Sequence, residues 1–562
     1  MTGKKRRYIM GKKTVLRKVV SIVMAMALVL ALGMPALSAR AAEPVVEKNI
    51  YSVPADLTGK TVILHTNDIH GAIGRYALIA SLKQNLLGRG AEVILADDGD
   101  YLQGTPYVSS TKGLDAIMAM NAAGYDIATV GNHEFDYGVP QLKADLATAK
   151  FKTVCANIFD NNGNLLFNHH TILTTKSGMK IGFFGLDTPQ TKTQCNPAMV
   201  KDLTILDGKE LYACAQAETD ELKAEGADVI ICLAHLGVDK EVIDAKHSSI
   251  DVYKNTKGID FIIDGHSHTV MTSTAGNLPI QSTGTKMQDI GVIVLDNASK
   301  KIEDHYLLSL EGLQPEVITQ AVTNAVYSRV NNEYGTVFAT SEVELNGAKE
   351  PGNRTEETNN GDLITDAFMW TVLKDTSAIT VDADHIVAIT NGGGIRAAIK
   401  PGSVSKKDIN TVMPFGNTVA VVYVTGEQLL EALEASTFSA PSALGGYPQT
   451  AGIKFTLDTR KSFAKGAAYP GSTYCKPASY NRVSIESING KPFSKTDTYA
   501  VVTNDFCARG GDTYYAFTYG GDFYDTGIPM DEAVMDYVKT ELKGVISAEK
   551  YGTVRGDQTI LK

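Results

Sequence analysis

Thr61-Val62-Ile63-Leu64, followed at once by His65-Thr66-Asn67-Asp68-Ile69-His70-Gly71, is the stretch on which the fold turns. A β-branched run passes directly into a loop with a carboxylate and an imidazole two residues apart, and two such side chains can bind one divalent ion from the same side. The same arrangement recurs downstream. Glu92-Val93-Ile94-Leu95 leads to Asp97-Asp98-Gly99-Asp100, and Asp126-Ile127-Ala128-Thr129-Val130 to Gly131-Asn132-His133-Glu134-Phe135-Asp136. Lys180-Ile181-Gly182-Phe183-Phe184 is a fourth such run, Asp228 to Leu233 ends on Ala234-His235, and Asp260 to Ile263 ends on Asp264-Gly265-His266-Ser267-His268. Alternating β-branched runs and helical patterns predict an α/β domain, whose ligands bind beyond the carboxyl ends of the strands.

Each loop alone says little. Asp97 and Asp98 read as turn residues, and a lone histidine beside an apolar run is more often a core residue than a ligand. Five loops delivering Asp68, His70, Asp100, Asn132, His133, His235, His266 and His268 to one sheet edge are not independent accidents, and together they predict a metal centre. A carboxylate such as Asp100 has two oxygens and can bridge two cations. Asn132 offers a neutral carbonyl oxygen and His133 a proton donor, with Asp136 available to fix the His133 tautomer. His169, His170, His247, His305 and His385 fall outside the strand-end pattern and read as surface or structural.

The whole chain has 562 residues, 44% of them hydrophobic, and a formal net charge of -10. That length calls for at least two domains. The acidic balance argues against a nucleic acid polymer as partner, so a phosphorylated ligand must be held locally by metals and a few arginines. Lys4, Lys5, Arg6, Arg7, Lys12, Lys13, Arg17 and Lys18 precede an apolar run from Val19 to Leu37 and small residues up to Ala42. This predicts a signal peptide over 1–41, cleaved near Ala39 or Ala41, rather than a retained anchor. A mature chain without a membrane span, secreted or periplasmic, follows; no Leu-Pro-x-Thr-Gly signal precedes Lys562, although surface attachment stays open. The six cysteines show no CxxC spacing, so disulfides are not indicated, and Cys232 reads as a core thiol.

Val317, Ala321, Ala325, Val326 and Val330, at helical spacing between Pro315 and Asn332, predict a linker helix. The expected organisation is a catalytic domain over 42–312, the linker over 313–334 and a second α/β or α+β domain over 335–562. The second domain should have helices near Asp362 to Leu373 and Gly426 to Ala435, and strands at Ile386 to Ile389, Val419 to Val424 and Tyr499 to Val502. Its Thr390-Asn391-Gly392-Gly393-Gly394-Ile395-Arg396 lets backbone amides approach an anion beside an arginine. Met413-Pro414-Phe415-Gly416-Asn417 and the run from Asn504 to Asp512 each set a phenylalanine beside polar groups in a turn. By residue type alone both aromatics are as readily core.

The order Asp-x-His, Gly-Asp, Gly-Asn-His-Glu, His, Gly-His-x-His resembles the calcineurin-like metallophosphoesterase superfamily, and nearly the whole mature chain resembles the secreted 5'-nucleotidase and UDP-sugar hydrolase family. The resemblance implies an N-terminal four-layer β-sandwich flanked by helices, joined to a C-terminal nucleoside-binding domain that rotates about the linker. It implies two divalent ions, with Zn, Mn, Co, Mg and Fe all compatible with the donors. One would be held by Asp68, His70, Asp100 and His268, the other by Asp100, Asn132, His235 and His266. Some relatives have an amide where His268 stands. The implied reaction is in-line hydrolysis of a small-molecule nucleotide, a nucleoside 5'-phosphate or nucleotide sugar, with His133 acting on the leaving oxygen and Asp136 orienting it. For the substrate it implies Phe415 and Phe506 on the base, Asn417 on its edge, Asp512 on the ribose, and Arg354, Asn391, Gly393 and Arg396 around the rest. A second family arginine is replaced by Glu356, which puts part of the phosphate grip in doubt. The alternatives are a 2',3'-cyclic phosphodiesterase with 3'-nucleotidase activity on the same fold, and a non-catalytic nucleoside-binding or adhesion protein. Oligomeric state is not readable from the residues.

Overall fold

Two sheets packed face to face form the N-terminal domain. The structure, a computed structural model, describes residues 47–562 except 196, 275, 378 and 522, so the expected signal peptide lies outside the described residues. The first sheet runs Glu47–Lys48, Lys301–Ser309, Asp289–Asp296, Lys60–Thr66, Glu92–Asp97, Ile127–Ala128, Lys152–Thr153. The second runs Val270–Met271, Ile280–Thr283, Phe261–Asp264, Val229–His235, Lys180–Asp187, His170–Thr174. Ile63, Ile94 and Ile127 from the first meet Ile181, Phe183, Ile231 and Phe261 from the second in a shared core. The outer faces are covered by helices, Tyr76–Gly88 and Leu114–Ala123 on one side and Gly208–Ala224 and Ser249–Asn255 on the other. This is the four-layer α/β arrangement. Strands covered on both faces have no polar side to show, which is why Val229–His235 is buried at every residue.

The parallel registers bring the strand ends level. Thr66 pairs with Asp97 and Asp97 with Ala128, and in the second sheet His235 pairs with Asp187 and Ala234 with Asp264. The following loops therefore leave the sandwich at one edge. The expected five-residue strand at Asp126 to Val130 is only Ile127–Ala128. Asp126 spends its carboxylate on the Leu95 amide and Lys83, and the chain departs after Ala128 to carry Asn132 over the sheet edge.

The linker helix spans Val317–Tyr334, with Glu316 accepting from the Ile318 and Thr319 amides at its start. Its packed face is Thr319, Thr323, Val326 and Val330, whereas Val317, Ala321 and Ala325, read from the sequence as part of the apolar face, are exposed. Val326 and Val330 join the core beneath Tyr76–Gly88 and Leu114–Ala123. Beyond it, a five-stranded sheet runs Pro448–Ala451, Ile386–Asn391, Thr498–Asn504, Thr418–Thr425, Tyr524–Pro529, with apolar cores on both faces. Ile386–Asn391 and Thr498–Asn504 are parallel, and Thr418–Thr425 is antiparallel to the latter, with Val419 opposite Asn504. Loops that follow the first two strands and the loop that precedes the third thus share an edge. The expected helices lie at Asn359–Leu373 and Gly426–Ser436. None of the six cysteines is joined to another in a disulfide. Among the described residues no helix is long and apolar enough to cross a membrane.

Candidate active site

The strand-end loops of the sandwich bring all seven expected metal ligands together. Asp68 Oδ1 is 3.8 Å from His70 Nε2, 3.3 Å from His268 Nε2 and 3.9 Å from His235 Nε2. Asp100 Oδ2 is 3.6 Å from His70 Nε2 and 3.3 Å from His235 Nε2, so it faces both groups. His266 Nδ1 lies 3.0 Å from Asn132 Oδ1. Asp68, His70, Asp100, His266 and His268 all have φ between 44° and 74°, the left-handed region. Each such residue costs about 1–2 kcal/mol, a strain that the surrounding hydrogen bonds must hold. The motif glycines are fixed by close approach: a Cβ on Gly131 would stand 2.6 Å from Asp100 Oδ1 and His235 Nε2, and one on Gly265 2.8 Å from His235 Nδ1.

The side chains themselves fit a pair of divalent ions. Asp68 Oδ2 is occupied, accepting from Asn67 Nδ2 at 2.7 Å and the His266 amide at 2.9 Å, while Asp68 Oδ1 is buried without a hydrogen-bond partner. His235 Nδ1 donates to the Asp98 carbonyl at 2.6 Å, which leaves its buried Nε2 unpaired toward Asp100. Orphaned donor atoms aimed at one another are what an ion would satisfy. Burial holds His70, His266 and His268 below the usual histidine range, so they present the neutral nitrogens that bind metal. His235 is raised instead, because the Asp100, Asp68 and Asp98 charges outweigh its burial.

Around the ligands stand residues whose importance no spacing revealed. The Glu134 carboxylate accepts from the backbone amides of Gly131, Asp100, Tyr101 and Leu102 at 2.6–3.0 Å, clamping the Asp100 loop to the Asn132 loop. Burial, with the Asp100 charge added, pushes its pKa up to about 7 against the pull of those donors. Gln190, in the loop after Lys180–Asp187, accepts from His266 Nε2 at 2.7 Å and donates to Glu241 at 2.6 Å. Glu241 also accepts from Tyr474 of the second domain, at 2.8 Å. Asp97 serves as a turn residue, as expected, but Asp98 orients His235 through its carbonyl. His65, first in the motif, is buried against Gln281 and pushed down to about 4 by burial; it is structural.

His133 Nδ1 is 2.9 Å from Asp136 Oδ2. Burial alone would lower the His133 pKa, but the Asp136 and Asp100 charges prevail and raise it. Its ring meets Phe415 with centroids 5.3 Å apart. His133, Asp136 and His266 line one cavity with Arg354, Asn391, Gly393, Arg396, Phe415, Asn417, Phe506 and Asp512, which are all the expected substrate residues. Arg396 Nη2 reaches within 3.5 Å of His70 Nε2, and the Asp512 amide donates to the Thr193 carbonyl at 2.6 Å, so the two lobes meet at the cavity. Asn391, expected to hold the ligand, lines the cavity and donates to Asp512 Oδ2 at 2.8 Å. Glu356 is not among the lining residues, whereas Lys349, unmarked by any motif, is.

A two-metal centre at the strand ends of an α/β sandwich, closed by a lobe carrying arginines and aromatics, defines a two-domain metallophosphoesterase. Residues 61–270 match the calcineurin-like phosphoesterase family, and residues 337–519 the C-terminal domain of 5'-nucleotidases. The chain is 28% identical over 541 residues to the 5'-nucleotidase of Vibrio cholerae serotype O1, covering 86% of this chain and 91% of that one. It is 28% identical over 557 residues, 89% of its length, to the trifunctional nucleotide phosphoesterase protein YfkN of Bacillus subtilis, of which it spans 35%. The crystal structure of a 5'-nucleotidase precursor from Thermus thermophilus superposes with a TM-score of 0.73 at 27% identity, covering 90% of this chain and 99% of that one. The chain thus carries a calcineurin-like phosphoesterase domain followed by a 5'-nucleotidase C-terminal domain, the pairing its 5'-nucleotidase relatives share. It is a phosphoric monoester hydrolase of a class that uses two divalent metal ions.

Proposed function

We propose that this chain hydrolyses nucleoside 5'-phosphates to nucleoside and phosphate outside the cytoplasmic membrane. Residues 42–312 form the catalytic domain, 313–334 the linker and 335–562 the nucleoside-binding domain. The observation that carries the reading is the single cavity lined by His133 and His266 from the metal loops and by Arg354, Arg396, Phe415, Phe506 and Asp512 from the other domain. Asp68, His70, Asp100 and His268 are assigned to one ion, and Asp100, Asn132, His235 and His266 to the other. Bound there, the pair supplies Lewis-acid charge that makes water a nucleophile at neutral pH and offsets the phosphate's charge.

Phe415 and Phe506 stack the base, Asn417 meets its edge, and Asp512, steadied by Asn391, accepts from the ribose hydroxyls. Arg396, standing over His70, grips the phosphate oxygens, and Arg354 supports it. As the oxygen of water bonds to phosphorus, the bond to the 5' oxygen breaks, and His133 delivers its proton to that leaving oxygen. Asp136 holds the imidazole in position for this transfer.

Nucleotide sugars are a second substrate class. A neighbouring cavity lined by Lys240, Lys349, Phe438, Phe463 and Tyr474 shares Gln190, Asp239 and Glu241 with the first, leaving room for a group beyond the phosphate. The test is phosphate release from 5'-AMP and 3'-AMP, and formation of UMP from UDP-glucose, by the purified chain. The 5'-AMP rate should exceed the 3'-AMP rate; the reverse order would replace this reading with the 3'-nucleotidase one.

A further inference from the structure

Away from the catalytic cavity, the described residues contain another group of closely set nitrogen and oxygen donors. His169, His170, Glu218 and Glu221 each offer one donor atom, all within 4.8 Å of one another. The histidines stand at the start of His170–Thr174, an edge strand of the second sheet, and the glutamates on the helix Gly208–Ala224 that covers that sheet. Both rings turn Nδ1 to Glu218 Oε2, His169 at 2.9 Å and His170 at 2.6 Å. Glu221 Oε2 is 3.9 Å from His169 Nδ1, and Glu225 Oε1 is 3.5 Å from His170 Nε2. The His170 and Glu218 side chains are 7% and 9% exposed, whereas His169 and Glu221 are 40% and 59% exposed, so the group is anchored inside and open outside.

Two physical features distinguish this group from an ordinary polar surface. Glu218, Glu221 and Glu225 follow at spacings of three and four, which stacks three carboxylates on one helix face. They stack at the carboxyl end, where the helix dipole already disfavours anions. Among the described residues their ion pairs are with these two histidines, and no lysine or arginine joins them. The imidazoles, in turn, have centroids 4.1 Å apart, so both crowd the same carboxylates. Two imidazoles set among carboxylates that no lysine or arginine offsets form a mixed nitrogen and oxygen donor set of metal-binding dimensions.

We propose that His169, His170, Glu218 and Glu221 form a third metal site, binding one zinc-class divalent ion that clamps the edge strand to the helix. Two imidazole nitrogens with two carboxylates suit Zn, Co or Ni rather than Mg or Ca, which take oxygen ligands. Zinc–ligand bonds of about 2.0–2.2 Å are reached by the side chains closing on the ion in place of the hydrogen bonds to Glu218. The site is structural and does not enter the hydrolysis.

The test is metal content per chain after equilibration with zinc and removal of the excess, with melting temperature read in parallel. Wild type should hold three equivalents, and the His169→Ala/His170→Ala chain two, with phosphate release within about twofold of wild type. Glu218→Gln provides the same comparison if the double variant fails to fold, and zinc should raise its melting temperature less than that of wild type. The Asp68→Asn/Asp100→Asn chain, with the central pair disabled, should keep one equivalent that Glu218→Gln then removes, so failure at one centre is distinguishable from failure at the other. A metal content and zinc-induced melting shift unchanged by the His169, His170 and Glu218 substitutions would overturn the proposal.

Discussion

The two ends of the catalytic cavity are built differently. The metal end is made within one domain by loops whose ligands sit in strained backbone and are pinned from several sides, as Asp68 is by Asn67 and the His266 amide. The substrate end comes from the other domain and meets the metal end through contacts that include Asp512 to Thr193, Arg396 to His70 and Tyr474 to Glu241. Chemistry and recognition are thereby placed on different domains. Substitutions at the metal end should lower kcat, whereas those at the substrate end should raise KM.

The sharpest break in that comparison is Asp100→Asn, which should lower kcat by about 10³-fold or more in a phosphate-release assay, because charge at both ions is weakened together. His133→Ala should cost about 10²–10⁴-fold in kcat. Its loss should shrink for a substrate with an activated leaving group such as p-nitrophenyl phosphate, since that oxygen needs no proton. Glu241→Gln tests the seam between the ends: by loosening Gln190 it should reduce metal affinity or activity about 10–100-fold, measured by zinc titration against a chelating dye. Phe506→Ala should raise KM by the equivalent of about 1–3 kcal/mol with kcat nearly kept.

The smallest effect is on pH dependence. Burial pushes the Asp512 pKa up to about 6, against the Asn391 hydrogen bond and the Arg354 charge. Asp512 is therefore ionised above that pH and neutral below it. KM for 5'-AMP should rise as pH falls through about 6, while Asp512→Asn should have a raised KM that no longer shows this step.

The metal end was the more legible in sequence, for a physical reason. Strand-end loops of a parallel sheet converge, so Asp68, Asp100, Asn132, His235 and His266 could be assembled from strand endings without coordinates. Gln190 follows a strand that the sequence predicts, yet an amide in a Thr-Pro-Gln turn carries no chemical signature apart from the His266 that folding places beside it. Glu241 and Lys349 lie on elements whose positions depend on tertiary packing, and no spacing marks them. Glu356 does not line the cavity; its carbonyl accepts from Gln449, and the cations that do line it are Lys349, Arg354 and Arg396. The linker showed its helix but not its packed face, because Thr319 and Thr323 do as much burying there as valine does.

The central claim is that two ions held at the strand ends drive phosphate release from a substrate held by the other domain. It is tested most directly by titrating chelator-stripped Glu218→Gln chain, in which the outer site is disabled, with zinc or manganese while following phosphate release from 5'-AMP. The account predicts negligible turnover in the stripped chain and activity that reaches its plateau at two equivalents. Full activity in the stripped chain, or a plateau at one equivalent, would contradict it.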